Sequence, residues 1–263
     1  MSSILTKLYK SKFKESLSPY GFRLYRKTFY RVVNDVVQMI MLNNWDSDYT
    51  VEYIVTPLCL GVDDLSFSGE TIHEFRKGIF QNNDKYWRTC PCPFTGEKPS
   101  DELLEKYVDE MLSIVHSHIM PIFGEITNCE SWFNYRSKKG WVNHGLWADI
   151  KAGNYKKAIP TLQKWLEARQ ATIQSLNNNP DDPYNLKQRV QMGIIREKDL
   201  CWVLEKYIAS EKRLREDIKN YTHLIERLSI PDTEYFDEVF AEKEASAREY
   251  LSNPRKYKKK DGY

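Results

Sequence analysis

Three small groups of residues have the types and spacing that could do chemistry. Cys90-x-Cys92 and His116-x-His118 offer sulfur and imidazole ligands for a zinc ion. Asp46, Asp48 and Glu52, with His73 further along, offer carboxylates and an imidazole for a cation or for acid–base work. The spacings argue against each. Structural zinc pairs are separated by two to four residues and come in twos, and no second cysteine pair exists here. The periodicity around His116 and His118 is helical, and a two-residue helical step turns a side chain by ~200°, so the pair cannot share an ion. A strand-borne nuclease site wants a lysine two residues after an acid, whereas Glu52 is followed by Tyr53 and Ile54. Nucleophilic catalysis needs a Ser or Cys beside an oriented His, and neither a nucleophile elbow nor a phosphate-cradling glycine loop occurs. The expectation is no catalytic residue, no metal and no cofactor.

The residues left for recognition are aromatic. Trp45, Trp87, Trp141 and Trp147 lie in segments of mixed polarity and are the expected anchors for a protein partner, since buried aromatics carry most interface energy. Charge offers a second candidate. Residues 1–31 hold eight Lys/Arg against Glu15 alone, while residues 32–75 hold eight acids and no base. A basic strand beside acidic ones would neutralise itself within one sheet, so nucleic-acid binding through Lys7 to Arg31 is the less favoured reading. The basic tail Arg255-Lys256-Tyr257-Lys258-Lys259-Lys260 reads as a solvated terminus.

Composition bounds the rest. Apolar residues make up 41% of the chain and aromatics 13%, enough for a packed core. The five cysteines are an odd number, and no apolar leader precedes the lysines of residues 7–14. Reduced thiols in a cytoplasmic protein are expected, with Cys59, Cys129 and Cys201 as core fillers. No apolar run approaches the ~20 residues of a membrane span.

The elements that must position these residues follow from periodicity. Ile4, Leu5, Leu8, Tyr9, Phe13 and Leu17 recur at helical spacing over residues 3–17, with lysines opposite, and Pro19 and Gly21 stop that helix. Residues 22–33 predict a strand with a bulge near Arg26-Lys27, then a tight turn at Asn34-Asp35. Residues 36–42 are apolar on both faces and predict a central strand; residues 49–56 predict a third, ended by Pro57. A further strand is expected over residues 85–89, and a loop over residues 90–96. Ser100 caps a helix carrying Leu104, Tyr107, Val108, Met111, Val115 and Ile119, which Pro121 ends.

Beyond Trp141 the pattern is helical. Residues 153–166 resemble one turn and helix of a tetratricopeptide-type pair, and residues 177–183 predict a linker. Over residues 185–228 a long helix carries the seam Leu204, Tyr207, Glu211, Leu214, Ile218, Tyr221, Ile225 and Leu228. That seam should pack against residues 155–176 or 233–251 of the same chain, with a homodimer as the alternative. The expected organisation is an α+β domain over residues 1–140, an antiparallel meander covered by helices. An all-helical region over residues 141–253 and a basic tail over residues 254–263 follow.

Within the N-terminal part Phe13, Leu17, Gly21-Phe22, Phe29-Tyr30-Arg31 and Val36-Val37-Gln38 stand in an order that resembles an uncharacterised bacterial family known only as domain of unknown function 4304. The resemblance covers about sixty residues. It implies an α+β fold and brings no activity, so no catalytic residue follows from it. Together these features predict a non-enzymatic protein-binding or adaptor protein, by analogy of the kind found in bacterial immunity or defence. An enzyme of unrecognised type with an acidic site at the sheet edge is the alternative from another class.

Overall fold

A computed structural model describes residues 2–45, 48–62, 64–65, 90–91, 100–140, 145–178, 200–230 and 233–255. The chain forms two compact units, one of residues 1–145 with 237–263 and the other of residues 146–236.

In the first unit α1 (Ser2–Leu17) buries Leu5, Tyr9, Phe13 and Leu17, one residue per turn down a single stripe. Gly21 ends the following turn at φ +83°, a conformation that a Cβ would resist, and its N–H bonds Ser18 O. The sheet then runs β1 (Arg23–Tyr25), β2 (Thr28–Val33), β3 (Val36–Trp45) and β4 (Asp48–Pro57). A two-residue β5 (Cys90–Pro91) is added on β4, and all neighbours are antiparallel in sequence order. An α+β fold with a meander at its centre is what the pattern predicted.

Three local expectations need correction. The bulge expected at Arg26-Lys27 is a full reversal: Tyr25 pairs with Thr28, and Arg26 takes φ +56°. Neither turn residue is Gly or Asn, so the usual sign of positive φ is missing. The loop expected at residue 90 begins as a ladder with β4, where Tyr49 faces Cys90. Pro121 does not end its helix. That helix, α2 (Asp101–Ile114), passes through a wider π-type turn at Val115–Ile119 into α3 (Met120–Glu125). Pro121 falls in the first turn of α3, where its missing N–H costs little. Ser100 caps α2 as expected, its side chain accepting from Leu103 N.

Both faces of the sheet are covered. β3 is buried from Val36 to Leu42, as a central strand should be. On one face Phe29, Ile40 and Tyr53 stand in register, and α1, α3 and α4 (Cys129–Lys138) supply neighbours, with α2 packed on α1. Phe29 meets the rings of Tyr9 and Phe13, Tyr53 meets that of Phe123, and the Trp132 indole N–H donates to Val55 O over 2.8 Å. On the other face Tyr30, Met39 and Ile54 pack with Ala247, Tyr250 and Leu251 at the end of α8 (Thr233–Ser252). That helix, expected to lie wholly in the helical region, closes the α+β core with its second half instead.

The second unit contains α5 (Leu146–Lys151), α6 (Tyr155–Asn178) and α7 (Leu200–Ser229). Trp165 meets Tyr221 and Arg169 pairs with Asp217, so α6 and α7 run antiparallel. From Glu211 onward, where its side chains are described, the predicted seam of α7 lies on the face that meets α6. Leu214, Ile218, Tyr221 and Ile225 are half-buried and Leu228 is buried, with Asp217, Leu224 and Arg227 half-buried beside them and the other residues between them exposed. Among the described residues no helix is long and apolar enough to cross a membrane.

Candidate anion-binding site

Cations are sorted by the fold into those that are used internally and those that are not. On α1, Lys12 Nζ lies 2.8 Å from Glu105 and 2.7 Å from Asp109 of α2, and these bonds hold its pKa above the ordinary lysine value. Arg31 donates to Gln38 and to Tyr20 O, and burial lowers its pKa. Lys10, Arg26 and Arg255 are in no such pair among the described residues. They line one open cleft of about 410 Å³ together with Leu24 and Tyr25.

The three cations are placed by their neighbours. Tyr9 is fully buried, and its hydroxyl points at Lys27 O (3.2 Å) and Ile40 O (3.4 Å), which pins the β1–β2 turn to α1. Lys10, next on the helix, therefore flanks that turn. Arg26 lies over the Tyr25 ring, 5.2 Å from its centroid. Arg255 is brought in from the far end of the chain. Tyr30 donates its hydroxyl proton to Leu251 O (3.1 Å), and Leu65 N donates to Tyr250 Oη (2.9 Å). These bonds fix the end of α8 over the first strands. Burial pushes the Tyr250 phenol up to about 12, with Asp64 adding to the rise and Arg26 opposing it. Three cations around an aliphatic and aromatic floor can recognise an anion that carries some apolar surface.

The residues singled out in the sequence are scattered. Trp45 ends β3 in the first unit, and Trp147 is half-buried in α5 of the second. Trp87 and Trp141 lie outside the described residues, as do Asp46, His73 and Cys92. Trp132, not singled out, is a core residue with no exposed surface. Asp48 opens β4, whereas Glu52 is 3% exposed and faces Met41 across the ladder. Four residues of strand separate the two acids by ~13 Å, too far for one ion. Among the described residues no group of three metal-capable side chains occurs.

Both histidines sit in the π-type turn and are exposed. His116 Nε2 lies 2.6 Å from Ser16 Oγ on α1, a pairing that no local spacing could have revealed. The two cysteines expected to fill the core separately, Cys59 and Cys129, are brought into contact.

No protein-family model, curated protein or solved structure matches the chain.

Proposed function

We propose that the chain is a non-enzymatic binding protein of the bacterial cytoplasm whose first unit takes an acidic segment of a partner protein. One observation supports this reading: Lys10, Arg26 and Arg255 line a single cleft, with no internal acid committed to any of them among the described residues. A short acidic segment fits better than a nucleic acid. A polyanion needs a continuous basic track. The neighbouring helix α2 instead exposes Asp101, Glu102 and Glu110 beside α1, in addition to the Lys12 partners Glu105 and Asp109. Those charges repel an extended phosphate backbone but leave room for a few carboxylates seated locally. Tyr25 among the cations is the feature that favours nucleic acid as a second reading, because bases stack on such rings. The tryptophans, Trp147 foremost, remain proposed apolar anchors for the same or another partner.

The test is fluorescence anisotropy with two labelled probes, an oligoglutamate peptide and a single-stranded oligonucleotide of equal length. The expected result is saturable peptide binding that weakens as salt rises and drops at least several-fold in Arg26→Glu. Stronger binding of the oligonucleotide would move the assignment to the second reading. No binding of either probe at low salt would overturn both.

A further inference from the structure

The geometry points to a peroxide-reactive dithiol formed by Cys59 and Cys129 at one end of the sheet. Their sulfur atoms lie 3.8 Å apart although the residues are 70 positions apart in sequence. Cys59 is in the 3₁₀ turn Leu58–Leu60 that follows β4, and Cys129 is the first residue of α4. Both are positioned by one residue of the β2–β3 turn. Asp35 O accepts from Leu58 N over 2.8 Å, and Asp35 Oδ1 accepts from Cys129 N over 3.0 Å. Asn34 adds a bond from Nδ2 to Thr127 O (3.1 Å), and the Asn128 side chain caps α4 by accepting from Ser131 N. The sulfurs are thus set by two elements, the 3₁₀ turn and α4, tied to a single turn.

The two thiols are inequivalent in ways that suit a sequential reaction. Cys129 is half-exposed and Cys59 is 6% exposed. Cys129 also begins a ten-residue helix, whose N-terminus favours a thiolate; the Asp35 carboxylate opposes that effect. With a hydroperoxide as oxidant, the Cys129 thiolate attacks the distal oxygen. An S–O bond forms and the O–O bond breaks. The oxygen leaving group takes up the proton that the thiol lost, and Cys129 becomes a sulfenic acid. The Cys59 sulfur then attacks the Cys129 sulfur. An S–S bond forms, the S–O bond breaks, and the departing hydroxide takes the Cys59 proton as water. The sulfur pair has lost two electrons and the peroxide has gained them. The product joins the end of β4 to the start of α4 across Asp35.

The whole chain treated with a modest excess of hydrogen peroxide, alkylated and digested without reduction, tests this. A linked peptide containing Cys59 and Cys129 is expected, lighter than its two halves by two hydrogens and abolished by dithiothreitol. In Cys59→Ser the thiol that resolves the sulfenic acid is gone, so dimedone should label Cys129. If Cys59 and Cys129 remain fully alkylatable while Cys90, Cys92 or Cys201 is oxidised, the dithiol is not the reactive site. Absence of dimedone label on Cys129 in a folded Cys59→Ser chain would equally overturn it. The primary readout uses the unsubstituted chain and is independent of the anion cleft.

Discussion

Arg31 on β2 and Gln38 on β3 stand directly opposite each other, and Arg31 Nε donates to Gln38 Oε1 over 2.7 Å. Gln38 is fully buried, and its Nε2 donates to Phe123 O (2.8 Å) and Ile126 O (2.9 Å). One amide therefore ties two strands to the carbonyl end of α3.

Replacing that amide with a hydrocarbon removes the partner of two carbonyls and of the Arg31 Nε–H, while the guanidinium keeps its bond to Tyr20 O. Gln38→Leu is expected to lower the free energy of unfolding by about 2–4 kcal/mol, near the cost of several unmade buried hydrogen bonds. Urea denaturation with an unchanged slope and a lower midpoint is the expected signature.

Trp132 anchors α4 to the sheet by its bond to Val55 O, and the Arg136 guanidinium one turn along the same helix lies 4.6 Å from its ring centroid. Trp132→Phe keeps most of the packing and should cost about 1–2 kcal/mol. Trp132→Ala should cost about 3–5 kcal/mol. Equal losses in the two variants would show that the hydrogen bond dominates.

Arg26 separates stability from binding. Its φ of +56° is strained for an arginine, by roughly 1 kcal/mol or more. Arg26→Gly should therefore leave thermal stability unchanged or slightly raised, after loss of the Tyr25 contact. The affinity for an oligoglutamate peptide should nonetheless fall several-fold.

Burial raises the phenols of Tyr9, Tyr30, Tyr53, Tyr135 and Tyr250 above the ordinary tyrosine value, Tyr250 to about 12. An unfolded chain ionises its tyrosines near pH ~10. Between that pH and about 12 the unfolded state loses protons that the folded state keeps, so stability contributed by these groups is present below pH ~10 and falls as pH rises. Titration of tyrosinate absorbance should show a late, cooperative step coincident with loss of helical circular dichroism. Smooth titration of all tyrosines near pH ~10 in a folded chain would contradict the burial.

Elements with strong local signals were legible in the sequence. The stripe Leu5, Tyr9, Phe13 and Leu17, the Asn34-Asp35 turn and the Ser100 cap each depend on residues a few positions apart. The aromatic and polar residues singled out in the N-terminal sequence are structural: Phe13 and Phe29 share a ring contact, Phe22 stacks on Phe123, and Arg31 meets Gln38. What was not legible depends on distant partners. Arg26 reverses the chain without a turn residue because Tyr9 holds the adjacent carbonyl of Lys27. The end of α8 is an ordinary amphipathic pattern, and nothing local says that it belongs over β2 and β3. The cleft was unreadable for the same reason, since Lys10, Arg26 and Arg255 meet only after α8 has docked.

The Tyr30–Leu251 hydrogen bond spans 221 residues, and the whole second unit is inserted between its two ends. During synthesis one face of the sheet must wait, without the α8 residues that pack on it, until residues 247–251 have left the ribosome. Tyr30, Met39, Met41 and Ile54 form an apolar surface in that interval. At ~5–20 residues added per second, about two hundred residues of waiting lasts tens of seconds, long enough for a holding chaperone to matter. Nascent chains stalled before residue 237 should be bound by such factors, and chains stalled well beyond residue 252 released.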